Sequence, residues 1–172
     1  MQKILGARSA VSVAVGLFIT FTQSHSAATG LFALAIFGIG FAVINVAATI
    51  WAKGKFLSVE SLPLTLIALA VGLFAALIPQ TEPTAQGLAF IYLVAGWAVI
   101  SGAMELYLAN RSGFKSRTGK DGLISAVLGL ALGLLFLIAP LDIVSAVGFF
   151  GTYLVISGVH LAIAAFTPQK EL

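Results

Sequence analysis

Gly72–Pro79 reads GLFAALIP and Gly133–Pro140 reads GLLFLIAP, a glycine and a proline separated by the same length of apolar chain. Upstream, VGLF occurs at Val15–Phe18 and again at Val71–Phe74, 56 residues later. That offset holds without a gap into the next segment, where Gly40-Phe41-Ala42-Val43-Ile44 matches Gly96-Trp97-Ala98-Val99-Ile100. VISG then occurs at Val99–Gly102 and at Val155–Gly158. Self-similarity at a fixed period marks a repeated supersecondary unit. The chain reads as one hairpin written three times, approximately over 9–51, 61–108 and 121–166.

The solvent for this hairpin is lipid. Of 172 residues 60% are hydrophobic and 9% charged, with mean hydropathy +1.10. A soluble domain carries about 25% charged residues, so there is too little charge here to cover a water-facing surface. A spanning helix needs about 20 apolar residues. Six stretches qualify, the first, third and fifth only with their flanks: Ala10–Phe21, Ala27–Ala48, Leu62–Ile78, Ala85–Leu106, Leu123–Ala139 and Ile143–Ala165. The expected fold is one all-α integral membrane domain over 1–172, with six transmembrane helices as three parallel two-helix repeats and approximate threefold pseudosymmetry. Lys3, Arg8, an apolar run and SHSA (Ser24–Ala27) resemble a signal peptide cut after Ser26. The first helix belongs to the repeat, so it is read as retained.

The basic residues orient the bundle. All nine Lys and Arg fall before helix 1, between helices 2 and 3, between helices 4 and 5, or after helix 6. The other three connections, TQSHSA, PQTEPTA and APLD, hold none. Basic segments stay cytoplasmic, so both termini are expected inside the cell's inner (plasma) membrane. The longest connection, NRSGFKSRTGKDG (Asn110–Gly122), is read as a topogenic loop that also meets lipid headgroups, not nucleic acid.

Each odd-numbered helix carries a pair of small residues in the same phase: Ser12 and Gly16, Ala68 and Gly72, Gly129 and Gly133. Small residues let helices approach closely in lipid. These three helices are therefore expected to form an inner packing ring, with dimerisation as the other use of the same pairs. Pro79 and Pro140 end odd-numbered helices, and Ser61 with Pro63 opens the third.

Chemistry is sparse. There is no cysteine, and the two histidines, His25 and His160, fall on opposite sides of the membrane. No His/Asp/Glu spacing matches a zinc site, and no glycine-rich phosphate loop follows a strand. No enzyme, metal or cofactor is expected. Asn45, Ser101 and Ser157 occupy equivalent repeat positions in the inner third of the even-numbered helices. Counting 1.5 Å per residue puts Glu105 at the inner interface, where it snorkels towards water beside Arg111, and His160 about one turn deeper. The sharper alternative is a cytoplasm-facing polar pocket built from Asn45, Ser101, Glu105, Ser157 and His160, in which Glu105 and His160 pair. Tyr92, Trp97 and Tyr153 are read as aromatic packing. His25, Glu82 and Asp142 sit in outer loops.

GLFAALIP followed by GWAVISGAMEL (Gly96–Leu106), with its echo in GLLFLIAP and LVISGVHLAIAAF (Leu154–Phe166), resembles the HdeD family of small bacterial inner-membrane proteins. The likeness covers nearly the whole chain. Gln23 stands in the first repeat where the proline belongs. The resemblance implies a six-helix protein tied to envelope and acid-stress tolerance, and it brings no catalytic residues. The expected function is non-enzymatic, acting through membrane lipids, a membrane-protein partner or a homo-oligomer. The alternatives are a small transporter or channel with a cytoplasm-open pocket, or an accessory subunit of a membrane complex.

Overall fold

The computed structural model describes residues 2–51, 62–78 and 82–167, and every element among them is helical. The helices are α1 (Gln2–Phe21), α2 (Ala27–Trp51), α3 (Leu62–Leu77), α4 (Pro83–Ser112), α5 (Arg117–Ile138) and α6 (Ile143–Phe166). Five are long and apolar enough to cross a membrane; α3 is apolar and has 16 residues. Lys53, Lys55, Ser61, Pro79 and Lys170, used above for orientation and punctuation, lie outside the described residues.

Local chemistry sets the ends. Pro83 opens α4, where its missing N–H costs nothing. Ser116 caps α5 by accepting from the Gly119 N–H at 2.9 Å, and Asp142 caps α6 by accepting from the Ser145 N–H at 3.0 Å. Asp142 also accepts from the Ser145 hydroxyl at 2.8 Å, and these bonds hold its carboxyl below the usual carboxylate range. Pro140 follows the end of α5.

The helices outrun the apolar windows. α1 starts eight residues before Ala10, α4 runs six beyond Leu106, and α5 starts six before Leu123. Hydropathy reports only the lipid-matched part of a helix, whereas backbone hydrogen bonding continues into the polar flanks. The long basic connection therefore shrinks to Gly113–Ser116 between two helix ends, with Gly113 at φ +79° making the turn.

Packing follows a closed pattern. α1 lies along α6, α2 along α3 and α4 along α5, and these are the three most extensive interfaces. α2, α4 and α6 also touch one another, whereas among the described residues α1, α3 and α5 make no contact with each other. The even-numbered helices are therefore the centre, which corrects the expected inner ring of odd-numbered helices. The small pairs are buried as expected, but their partners are even-numbered. A Cβ on Gly16 would lie 2.9 Å from the Gly151 carbonyl, one on Gly72 2.8 Å from the Ile39 nitrogen, and one on Gly133 2.9 Å from the Val99 nitrogen. Small residues mark where two backbones meet, and this happens at the rim. The middle of the bundle is wider and is filled by rings. Phe37 and Trp97 meet at 5.1 Å between centroids, and Phe90 and Phe150 at 5.7 Å, both near-perpendicular. Because all six small residues are buried within the chain, none is presented for dimerisation. Tyr92 also departs from its reading as packing: it is 65% exposed, on the same face of α4 as the exposed Leu88 four residues earlier.

Candidate functional site

The end of the bundle where α1 starts and α4 turns into α5 carries Lys3, Arg111, Lys115 and Lys120, and is called the basic end. Just inside it a cavity of about 60 Å³ lies among the helices. Its walls come from i, i+4 rows, which share one helix face. α1 supplies Arg8 and Ser12; α4 supplies Trp97, Ser101 and Glu105; α6 supplies Tyr153, Ser157 and Leu161. Phe37 and Phe41 of α2 and Ser125 and Gly129 of α5 complete most of the rest.

Arg8 is the centre of its polar chemistry. Its Nε and Nη2 both donate to Oδ1 of Asn45, the former at 2.7 Å, and its Cζ sits 4.7 Å from the centre of the Phe41 ring. Asn45 is fully buried and donates from Nδ2 to the Thr65 hydroxyl at 2.9 Å. A chain of bonds thus ties α1 to α2 to α3. A guanidinium inside an apolar bundle needs such partners, since an uncompensated buried charge is costly. Glu105 on α4 is the acidic group within Coulombic reach of Arg8. Among the described residues, no hydrogen bond or ion pair joins the two side chains directly. They face a common space, with donors on one wall and an acceptor on another.

Three of the five expected pocket residues, Ser101, Glu105 and Ser157, line this cavity. Asn45 stands behind Arg8 and holds it. His160 is turned away: its Nε2 lies 3.1 Å from the Asp121 carbonyl oxygen on α5. Nearby, Arg117 pairs with Asp121 at 3.9 Å and reaches the Ala164 carbonyl at 3.5 Å, so these contacts join the start of α5 to the end of α6. The expected Glu105–His160 pair is thus replaced by Glu105–Arg8. Glu105 is also not at a helix end, since α4 continues to Ser112 and Arg111 lies in its last turn. Of the packing residues, Ser12 and Gly129 contribute to the cavity wall as well.

Two features escaped the sequence reading. Arg8 was fully accounted for as a topogenic flank, and nothing local distinguishes an inward-turned arginine. The second had a signal. Phe41, Trp97 and Tyr153 are separated by the same 56 residues as Asn45, Ser101 and Ser157, and each stands four residues before its polar counterpart. All three rings line the cavity. With Phe37 and Phe150 they form a ring cluster, the Trp97–Tyr153 and Trp97–Phe150 centroids lying 5.7 and 6.3 Å apart.

Among the described residues no group of three His, Asp or Glu side chains is placed to hold a metal. Comparison with protein families, curated proteins and solved structures finds no match to this chain.

Proposed function

We propose that this chain is a non-enzymatic, multi-pass inner-membrane protein built from three two-helix repeats around an approximate threefold axis. Its work is done at a hydrated polar cavity open to the cytoplasm. The observation that carries this reading is the Arg8–Glu105 pair, two opposite charges set around one space without closing on each other. A purely structural ion pair would be in contact, because burying charges is repaid only by good mutual geometry. The cyclic pairing of α1 with α6, α2 with α3 and α4 with α5 supports the repeat reading. The even spacing of Phe41, Trp97 and Tyr153 supports it too. The basic end is the cytoplasmic one by the charge asymmetry of the connections. The ring cluster closes the cavity towards the other face, which favours a binding site open on one side over an open channel. The link to envelope or acid stress rests on the likeness to the HdeD family alone.

The chain has no cysteine, so single cysteines can be introduced without a background. Ser157→Cys and Ser101→Cys, in vesicles of known orientation, should react with a small charged methanethiosulfonate from the cytoplasmic side and stay unmodified from the other. Labelling from the outer side, or none from either, would sink the reading.

A further inference from the structure

This inference rests on the cavity reading above and assigns the cavity a ligand. The lining is mixed in sign. A lone cation drawn to Glu105 meets the Arg8 guanidinium, and a lone anion drawn to Arg8 meets the Glu105 carboxylate. What suits both is one neutral molecule with an acceptor at one end and N–H donors at the other. Arg8 has the means to serve the acceptor end. Its Nε and Nη2 hydrogens on one edge are spent on Asn45, which leaves the Nη1 side of the fork. Glu105, an acceptor-only group when ionised, serves the N–H end.

Size and shape narrow the class. At about 10–15 Å³ of such space per water, a cavity of about 60 Å³ holds roughly four to six non-hydrogen atoms. Trp97 and Tyr153 present near-perpendicular rings, 81° apart, to the same space. A flat π-bonded group packs on such a surface better than a tetrahedral one. The Ser101 hydroxyl adds a partner able to donate or accept, and Ser157, which donates to the Leu154 carbonyl at 3.3 Å, adds an acceptor.

The geometry points to a small planar amide, of the urea or short carboxamide class, bound between Arg8 and Glu105 against the Trp97 and Tyr153 rings.

The chain has two tryptophans, Trp51 and Trp97, so Trp51→Phe leaves Trp97 as the sole indole reporter. This variant, full length in lipid nanodiscs, is titrated with acetamide, methylammonium and formate while Trp97 emission is followed. Acetamide should give a saturable change and the two ions none. Glu105→Gln exchanges a charged acceptor for a neutral one, a difference of about 1 kcal/mol, and should weaken acetamide about fivefold. Arg8→Lys keeps the charge, loses the fork, and should weaken it similarly. Saturation by methylammonium or formate in place of acetamide would overturn the amide assignment, as would no saturation by any of the three or binding indifferent to both substitutions. Trp97 emission in D₂O separates this from the underlying reading. A solvent isotope effect without acetamide binding removes the ligand and keeps the hydrated cavity. No isotope effect removes the hydrated cavity itself.

Discussion

Replacing Arg8 with Met keeps most of the side-chain length and removes the charge. The substitution deletes two bonds to Asn45 Oδ1 and the contact with Phe41, and it leaves Glu105 facing the cavity alone. Removing one partner of a buried pair costs about 3–5 kcal/mol; access to water in the cavity puts the expected loss near the lower figure. Glu105→Gln on its own strands Arg8 less severely, because Asn45 and Phe41 still hold it. The informative quantity is the coupling. Opposite charges separated by more than contact distance, across a space only a few waters wide, attract by roughly 2–3 kcal/mol at an effective dielectric constant of about 20. The double variant should therefore be more stable, by about 2 kcal/mol, than the two single losses added together. Reversible unfolding in mixed lipid–detergent micelles, followed by far-UV circular dichroism, measures all four corners of the cycle. If the losses add within about 0.5 kcal/mol, the usual result for independent sites, Arg8 and Glu105 do not sense each other and the cavity loses its charge chemistry.

Two further outcomes test the packing and the cap. Gly133→Ala places a methyl 2.6 Å from Val99 Cγ2 and 2.9 Å from the Val99 nitrogen, and it should destabilise the protein by about 1–2 kcal/mol. Gly96→Ala, with nothing within 4 Å of its new Cβ, should instead gain up to about 1 kcal/mol of helix propensity. The same unfolding assay reads both, and equal signs would refute the assigned α4–α5 contact. Asp142 has a lower carboxyl pKa folded than unfolded. Its stabilisation is therefore complete above the unfolded value, near 4, and is lost as pH falls through the folded one. Asp142→Ala should flatten the acid limb of a melting-temperature profile, and an unchanged limb would show that the cap does not couple to folding.

Helix number was readable because a long apolar window must satisfy its backbone groups internally, which favours a helix; five of the six reach spanning length and α3, with 16 residues, does not. The internal similarity of the sequence was visible because Gly and Pro recur at fixed distances. Radial placement was not. The small pairs of α1, α3 and α5 gave the contact faces correctly and the centre wrongly, since close approach and central position are different properties. The polar row of Asn45, Ser101 and Ser157 was found by equivalence, and the residue equivalent to Glu105 is Leu161, which does line the cavity. His160 is one residue away, a rotation of about 100° on a helix, and that step carries it to α5. Arg8 was hidden by a sufficient explanation of another kind, for a basic residue near a first helix satisfies the topology rule whether it points outward or in.

The pairing of α1 with α6 has a consequence for synthesis. These helices are the most distant in the chain, yet their interface is among the most extensive. During translation α1 is made well before α6, with Ser9, Ser12 and Gly16 on the face that α6 will cover. Ser9 donates to the Gly158 carbonyl at 2.7 Å, an acceptor that the ribosome makes nearly 150 residues later. Until then that face lacks the helix that covers it. The pairing of helices is completed only once α6 has been made, so a nascent chain stalled before α6 leaves the matching face of α1 uncovered.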